Sequence, residues 1–309
     1  MKRHFDPEIV VCGGGPAGGT AALYAARIGR RVTLLTGNPY GSLIAANREI
    51  DNFPGTPGLD GVRFIEQLHR QCADAGVTLV QQHAVSLELE NRVKILRTDA
   101  ARTFETPVVI VAIGTRPLRP PIPGLDTFWG RGVSVCAWCD GALHRGRSVA
   151  VYGGGNTAYI SVRLLSRLAK DVHLLLPKRA GTAFQAVQSQ VAEATNVHVH
   201  QEVEVLALEG QTHLASVHLK TAGQPLTLGI DGFFLALGQK PHTDFLRPLV
   251  DLDAAGYIKA DPNGSTSCPG VYASGDVVSG LFRQLIVACG SGASAALGAE
   301  QHLTAQWTP

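Results

Sequence analysis

The sequence predicts an α/β protein that carries two nucleotide-binding units on one chain. Gly13-Gly14-Gly15-Pro16-Ala17-Gly18 and Gly153-Gly154-Gly155-Asn156-Thr157-Ala158 each follow an apolar strand-like run and open a helix-forming stretch. Later in each half comes a second apolar run ending in glycine, 108–114 in the first and 232–238 in the second. The chain is 309 residues long, 45% hydrophobic and 17% charged, enough for two well-cored domains. Its net charge of +2, from 27 basic and 25 acidic residues, gives no basic face of the kind nucleic-acid binding needs.

The first unit opens at Glu8-Ile9-Val10-Val11-Cys12, a β-branched apolar run. The Gly13, Gly15 and Gly18 turn and a small-residue helix from Thr20 to Arg27 follow, Gly29 ends that helix, and Arg31-Val32-Thr33-Leu34-Leu35 is the next strand. Strand, glycine turn, helix and strand within about 30 residues make a dinucleotide-binding βαβ unit. Glycine admits the tight turn and the close approach of a pyrophosphate, and the helix N-terminus supplies partial positive charge. The second strand ends in Thr36-Gly37, without an acidic residue for a ribose.

Residues 38–60 read as a functional loop with turns at Asn38-Pro39-Tyr40-Gly41 and Asn52-Phe53-Pro54-Gly55. Gly61 to Ala75 is expected to be an amphipathic helix with Phe64, Leu68 and Cys72 on one face, and 77–110 a β-meander ending in a buried strand. Pro117, Pro120, Pro121 and Pro123 make 115–132 read as an interdomain linker.

Cys136-Ala137-Trp138-Cys139-Asp140-Gly141 comes next. Two cysteines separated by two residues suit reversible thiol–disulfide exchange, and Asp140 beside them suits proton transfer. Zinc held by the pair with His144 is the weaker reading, because no second cysteine pair stands nearby. Asp140 as a plain turn cap is the bland alternative. The second βαβ unit then runs from Ser148 through a helix reaching Leu168 to the strand Val172–Leu176. A meander spans 197–228, Gln239 to Thr243 returns the chain to the first unit, and Val271 to Asp276 ends a strand in Gly275-Asp276. Ala288 to Leu303 reads as a helix and 306–309, with Trp307, as a tail whose default reading is a frayed terminus. Trp138 is read as a shield for the disulfide or a determinant of partner choice; Cys12, Cys268 and Cys289 read as buried small residues.

Taken in order, six motifs resemble the low-molecular-weight thioredoxin reductase family over nearly the whole chain. They are Gly13–Gly18, Asp51-Asn52-Phe53-Pro54-Gly55, the Cys136–Gly141 hexapeptide, Gly153–Ala158, Gly275-Asp276 and Arg283-Gln284. The resemblance implies two Rossmann-like, three-layer ββα domains, the second inserted into the first. Residues 1–115 and 244–309 would bind FAD and 116–243 would carry the disulfide. It implies FAD contacts from Gly13, Gly15, Pro16, Ala17, Gly18, Thr36, Gly41, Asn52, Ala112, Gly114, Gly275, Asp276, Arg283 and Gln284. It implies catalysis by Cys139 facing the flavin, Cys136 attacking a substrate disulfide and Asp140 handling protons. It also implies a homodimer, with one domain rotating against the other.

The chain departs from that family at the second fingerprint. Gly153, Gly155, Asn156, Thr157, Ala158, Tyr159 and Lys178 form the expected second nucleotide site, but Leu176, Pro177, Lys178 and Thr182 stand where the family has histidine and three arginines. Ile160 and Ser161 replace paired glutamates. The bidentate phosphate grip of arginine is lost with them. The expectation is therefore an FAD-dependent disulfide oxidoreductase that works without NADPH. A second FAD would occupy the vacated site, as in the cyanobacterial diflavin-linked disulfide oxidoreductases, and Tyr159 would stack on its ring. The alternatives are NAD(P)H-dependent thioredoxin reduction, a ferredoxin-fed reductase, and a non-catalytic flavin and disulfide redox sensor. A ferredoxin–NADP reductase is disfavoured, since that chemistry needs no disulfide. Partners would be a dithiol or disulfide, such as thioredoxin, or ferredoxin; no resident metal is expected. No uncharged apolar run reaches about 18 residues and no signal peptide is read, so the expected location is the cytoplasm.

Overall fold

Ile9–Cys12 (β1) is buried along its whole length, which is why it sits at the centre of a sheet. It pairs in parallel with Val32–Leu35 (β2) and, in the other direction, with Val108–Val111 (β7). Thr78–Val80 (β3) adds to β2 and Val271–Ala273 (β18) to β7, giving the order β18-β7-β1-β2-β3. This is a computed structural model, and it describes residues 5–38, 42–46, 50–280 and 282–307.

One face of this sheet is covered by helices Pro16–Arg27 (α1), Gly61–Asp74 (α2) and Leu285–Trp307 (α6). Ala21, Ala22 and Ala25 of α1 and Ala295, Ala296 and Ala299 of α6 pack with Ile9, Val11, Leu34 and Ile110, so small side chains let the helices lie close to the strands. Asp60 caps α2 by accepting the Arg63 N–H at 2.9 Å. The other face packs on an antiparallel sheet of Ala84–Glu90 (β4), Val93–Thr98 (β5) and Thr103–Thr106 (β6), through Leu87, Leu96 and Phe104. The result is three layers.

The second unit repeats the plan. Val133–Ser134 (β9), Ser148–Tyr152 (β10), Asp171–Leu175 (β11), Val197–His200 (β12) and Gly232–Leu235 (β16) form a parallel sheet in the order β12-β11-β10-β16-β9. Helices Ala137–Asp140 (α3), Asn156–Leu165 (α4) and Gln185–Ala192 (α5) belong to it; Ala158, Val162 and Leu165 of α4 join the core on one face of its sheet. The antiparallel strands Val203–Gly210 (β13), Leu214–Thr221 (β14) and Gln224–Gly229 (β15) supply the core on the other face. The chain divides into units 1–116 with 240–309, and 117–239. The two-residue strands Arg116–Pro117 (β8) and Gln239–Lys240 (β17) lie at the crossings.

Four sequence expectations are corrected. Residues 77–110 are not one meander: β3 and β7 belong to the parallel sheet and only β4 to β6 are antiparallel. Likewise β12 is a parallel edge strand rather than the start of the second meander. Residues 117–132 are not a linker, because Leu125 and Phe128 are 3% and 4% exposed and sit in the second unit's core. The last helix is longer than 288–303 and runs on through residues 306 and 307, where a tail was expected.

Candidate functional site

The first glycine turn is fixed by contacts only glycine tolerates. Gly13 has φ +112°, and a Cβ there would lie 2.4 Å from the Ala112 carbonyl oxygen. A Cβ at Gly18 would lie 1.8 Å from the Gly13 oxygen. Pro16 stands in the first turn of α1, which has no acidic residue, so the positive end of the helix is left for an anion. Ala17 is buried and would touch a Cβ on Gly275 at 2.7 Å, which brings the loop after β18 against the start of α1. Ala112 donates its N–H to the Cys12 carbonyl at 2.8 Å, and Gly114, at φ +64°, faces open space. These groups surround the carboxyl ends of β1, β7 and β18, where open α/β sheets bind dinucleotides.

Around that crevice Thr36 donates to the Val80 carbonyl at 3.4 Å, and Gly275 donates its N–H to Ser291 Oγ at 2.9 Å. Burial pushes the Asp276 carboxyl up to about 6, with Arg283 pulling it back. The Arg283 guanidinium lies 4.8 Å over the Tyr257 ring. Asn52 Nδ2 donates to Gln284 Oε1 at 3.2 Å, joining two residues 232 positions apart. His69, which the sequence did not mark, contacts the Gly14 carbonyl at 2.7 Å and braces the turn from α2. Gly41 lies outside the described residues, as do Pro39 and Tyr40; of Trp307 only the backbone is described.

Cys136 and Cys139 are joined in a disulfide. Cys136 caps α3, its Sγ 3.1 Å from the Cys139 nitrogen. Ser134 organises the rest: it donates to Asp140 Oδ2 at 2.5 Å and accepts the Cys136 N–H at 3.0 Å. Burial raises the Asp140 pKa and the Ser134 hydrogen bond lowers it, the former being larger. Burial thus favours the protonated form of the Asp140 carboxyl, which stands beside the disulfide in the chain. Trp138 is 63% exposed and Ala137 is buried, so the ring stands out from the disulfide. His144 is buried against Phe234, with centroids 5.4 Å apart, and burial lowers its pKa. Its ring leaves no room for a side chain at Gly232.

One pH prediction arises here. A raised carboxyl pKa keeps the proton on to higher pH, so the step that needs Asp140 protonated fades as pH rises through that pKa. Ser134→Ala removes the interaction that lowers it, so this limb of the kcat profile is expected to move to higher pH and to vanish in Asp140→Asn. A Ser134→Ala limb displaced to lower pH would contradict the assignment.

The second glycine turn has the same backbone logic. Gly153 has φ +152°, and a Cβ would meet the Ala236 carbonyl oxygen at 2.3 Å, while Gly155 faces open space at the start of α4. Residues 182 and 184 fold onto this turn. Thr182 donates its N–H to the Gly154 carbonyl at 2.7 Å, and Phe184 donates its N–H to Asn156 Oδ1 at 2.8 Å. Thr157 is exposed and Ala158 buried. Tyr159 is only 6% exposed and lies against Gly181, so the expectation that it stacks on a bound ring is corrected. Leu176, at the end of β11 where a ribose-binding acid would stand, is buried; Lys178 and Arg179 are exposed.

Residues 7–292 match the family described as pyridine nucleotide-disulphide oxidoreductase. The chain is 34% identical to the thioredoxin reductase of Coxiella burnetii over 319 residues, covering 98% of each chain. It is 34% identical over 300 residues to the bifunctional thioredoxin reductase/thioredoxin of Mycobacterium leprae, covering 96% of this chain and spanning 66% of that relative's length. A solved thioredoxin reductase from Giardia duodenalis superposes with a TM-score of 0.92 at 30% identity, over 96% of this chain and 98% of that one.

Proposed function

The chain belongs to the pyridine nucleotide-disulphide oxidoreductases and to the thioredoxin reductases among them, and on that premise we propose that it carries electrons from a reduced pyridine nucleotide to a thioredoxin-like protein disulfide. It is a flavin-dependent thiol-disulfide oxidoreductase that uses FAD. The observation that carries the finer reading is the Cys136–Cys139 disulfide tied through Ser134 to a half-buried Asp140, in the same unit as a second dinucleotide turn. The sequence expectation of a nicotinamide-free enzyme with a second FAD is not what the relatives support: they are thioredoxin reductases, and the NAD(P)H-dependent alternative fits them better.

FAD fits the first crevice, because the glycine turn, the helix N-terminus and the Gly275 loop leave a cradle that any added Cβ at Gly13 or Gly18 would destroy. Bound there, it supplies the two-electron acceptor between nucleotide and disulfide. The protein's own steps follow from the dithiol. Two electrons and two protons open the Cys136–Cys139 bond. The Cys136 thiolate attacks the partner disulfide and releases one partner thiol, and Cys139 then displaces the second, restoring the internal disulfide. Asp140 holds the proton exchanged with the departing sulfur. Lys178 and Arg179 are the cations available to a nucleotide phosphate at the second turn.

A second reading keeps the disulfide chemistry and changes the donor, to ferredoxin or a second flavin nucleotide. Buried Leu176 favours it, since it offers no ribose contact at the end of the second strand of this βαβ unit. Reduction of the flavin by NADPH and NADH separates the two readings. A cytoplasmic homodimer completes the proposal; the reactive CxxC, the use expected of such a pair in a reducing compartment, is its support for location. Among the described residues no helix is long and apolar enough to cross a membrane.

A further inference from the structure

We propose that His173 and His200, on adjacent strands at one edge of the second unit's parallel sheet, bind a divalent transition-metal ion of the zinc, nickel and copper class. The reaction described above does not use this cluster. β11 and β12 pair in a register that sets His173 opposite His198 and Leu175 opposite His200. Side chains alternate along a strand, so Asp171, His173, His198 and His200 share one face, while Val172 and Leu174 enter the core on the other.

The facing nitrogens of the two rings stand at a separation that two ligands on one ion also span. His173 Nδ1 lies 3.1 Å from His200 Nε2. Two imidazole nitrogens each about 2.0–2.1 Å from zinc in tetrahedral geometry stand roughly 3.3 Å apart. The His173 ring also stacks on His198 with centroids 5.1 Å apart, and His198 Nε2 lies 3.4 Å from Asp171 Oδ1. Among the described residues no three such donors converge on one point, so the site takes two protein ligands and completes its shell with water.

Imidazole ligates in its neutral form. Burial, then the neighbouring His200 and His198, hold His173 down at about 4, against the pull of Asp171. Burial and then His198 lower His200 as well. The strand edge is open to water: His198 and Val199 are exposed, and His173 and His200 are half-buried. A plain N–H···N bond between the two rings is the competing account of their separation.

Isothermal titration of the FAD-loaded enzyme with zinc chloride, in a non-chelating buffer at neutral pH, decides between them. The background is Cys136→Ser with Cys139→Ser, which removes the dithiol as a rival zinc ligand. One ion per chain is expected to bind, and His173→Gln and His200→Gln are each expected to weaken it at least about 10-fold, or about 1.4 kcal/mol. His198→Gln is expected to weaken it less than either. Zinc should also raise the melting temperature of the Cys136→Ser, Cys139→Ser enzyme and not that of its His200→Gln form. No saturable binding in the millimolar range, or binding unchanged in both glutamine variants, overturns the proposal. If a variant misfolds, copper(II) electron paramagnetic resonance of the Cys136→Ser, Cys139→Ser enzyme decides it: imidazole nitrogen hyperfine coupling supports the site and its absence refutes it.

Discussion

Cys136→Ser or Cys139→Ser is expected to lower reduction of a protein disulfide by at least about 10³-fold, because the step it removes is covalent and has no substitute in the chain. The four remaining cysteines cannot stand in. Cys12, Cys72 and Cys268 are buried, and burial pushes the Cys12 thiol to about 12 and the Cys72 thiol to about 11, which leaves almost no thiolate at neutral pH. Cys289 is half-buried and its thiol is raised as well. FAD is expected to stay bound in both variants, since every residue assigned to it belongs to the unit 1–116 and 240–309 while the disulfide belongs to 117–239. The check is turnover of a thioredoxin disulfide beside the flavin absorbance of the same preparation. Residual turnover above a tenth of wild type would remove the dithiol from the reaction.

Gly18→Ala is expected to yield protein with at least 10-fold less FAD. The new Cβ would fall 1.8 Å from the Gly13 carbonyl oxygen, well inside contact distance, and the obstacle is backbone rather than a side chain that can turn away. Gly13 cannot retreat, because it is held at φ +112° with the Ala112 carbonyl behind it. The helix must therefore move off the turn that receives the pyrophosphate. Gly290→Ala serves as the control: it lies in α6 of the same unit, its Cβ meets nothing within 4 Å, and it should keep its flavin. Gly153→Ala, whose Cβ would meet the Ala236 oxygen at 2.3 Å, should keep its FAD but lose reduction by nucleotide. Full flavin content in purified Gly18→Ala would show that this turn is not the FAD site.

Both glycine turns, the central strands and the disulfide were legible because each is a local signal. Ile9–Cys12 and Val108–Val111 are buried at every position, which an unbroken β-branched run announces. The edge strands were not legible. Thr78–Val80 and Val197–His200 are largely exposed, so they look like meander strands, and only long-range pairing makes them parallel. Residues 117–132 misled for a related reason: four prolines signal a break, yet Leu125 and Phe128 anchor the segment in a core the local sequence does not display.

The candidate site divides the same way. Asp140 beside Cys139 is a sequence neighbour, whereas its partner Ser134 is six residues back and unmarked by any motif. A serine two residues before a CxxC, on a short strand, is the signal that was available. His69 reaches the Gly14 carbonyl from another helix, across 55 residues, and nothing in its own surroundings points there. Tyr159 looked free to stack because its helix position was known and the return of Gly181 over it was not. The sequence has Pro177, Lys178 and Thr182 where the resemblance implies arginines, but that expectation does not fix the donor while Gly153, Gly155, Lys178 and Arg179 are present.

The most direct test is an anaerobic titration of the FAD-loaded enzyme with NADPH and, separately, NADH, following the flavin absorbance. The proposal predicts bleaching near stoichiometric nucleotide, followed by reduction of the Cys136–Cys139 disulfide. A protein that dithiothreitol bleaches and neither nucleotide does would contradict it, and would assign the electrons to another donor.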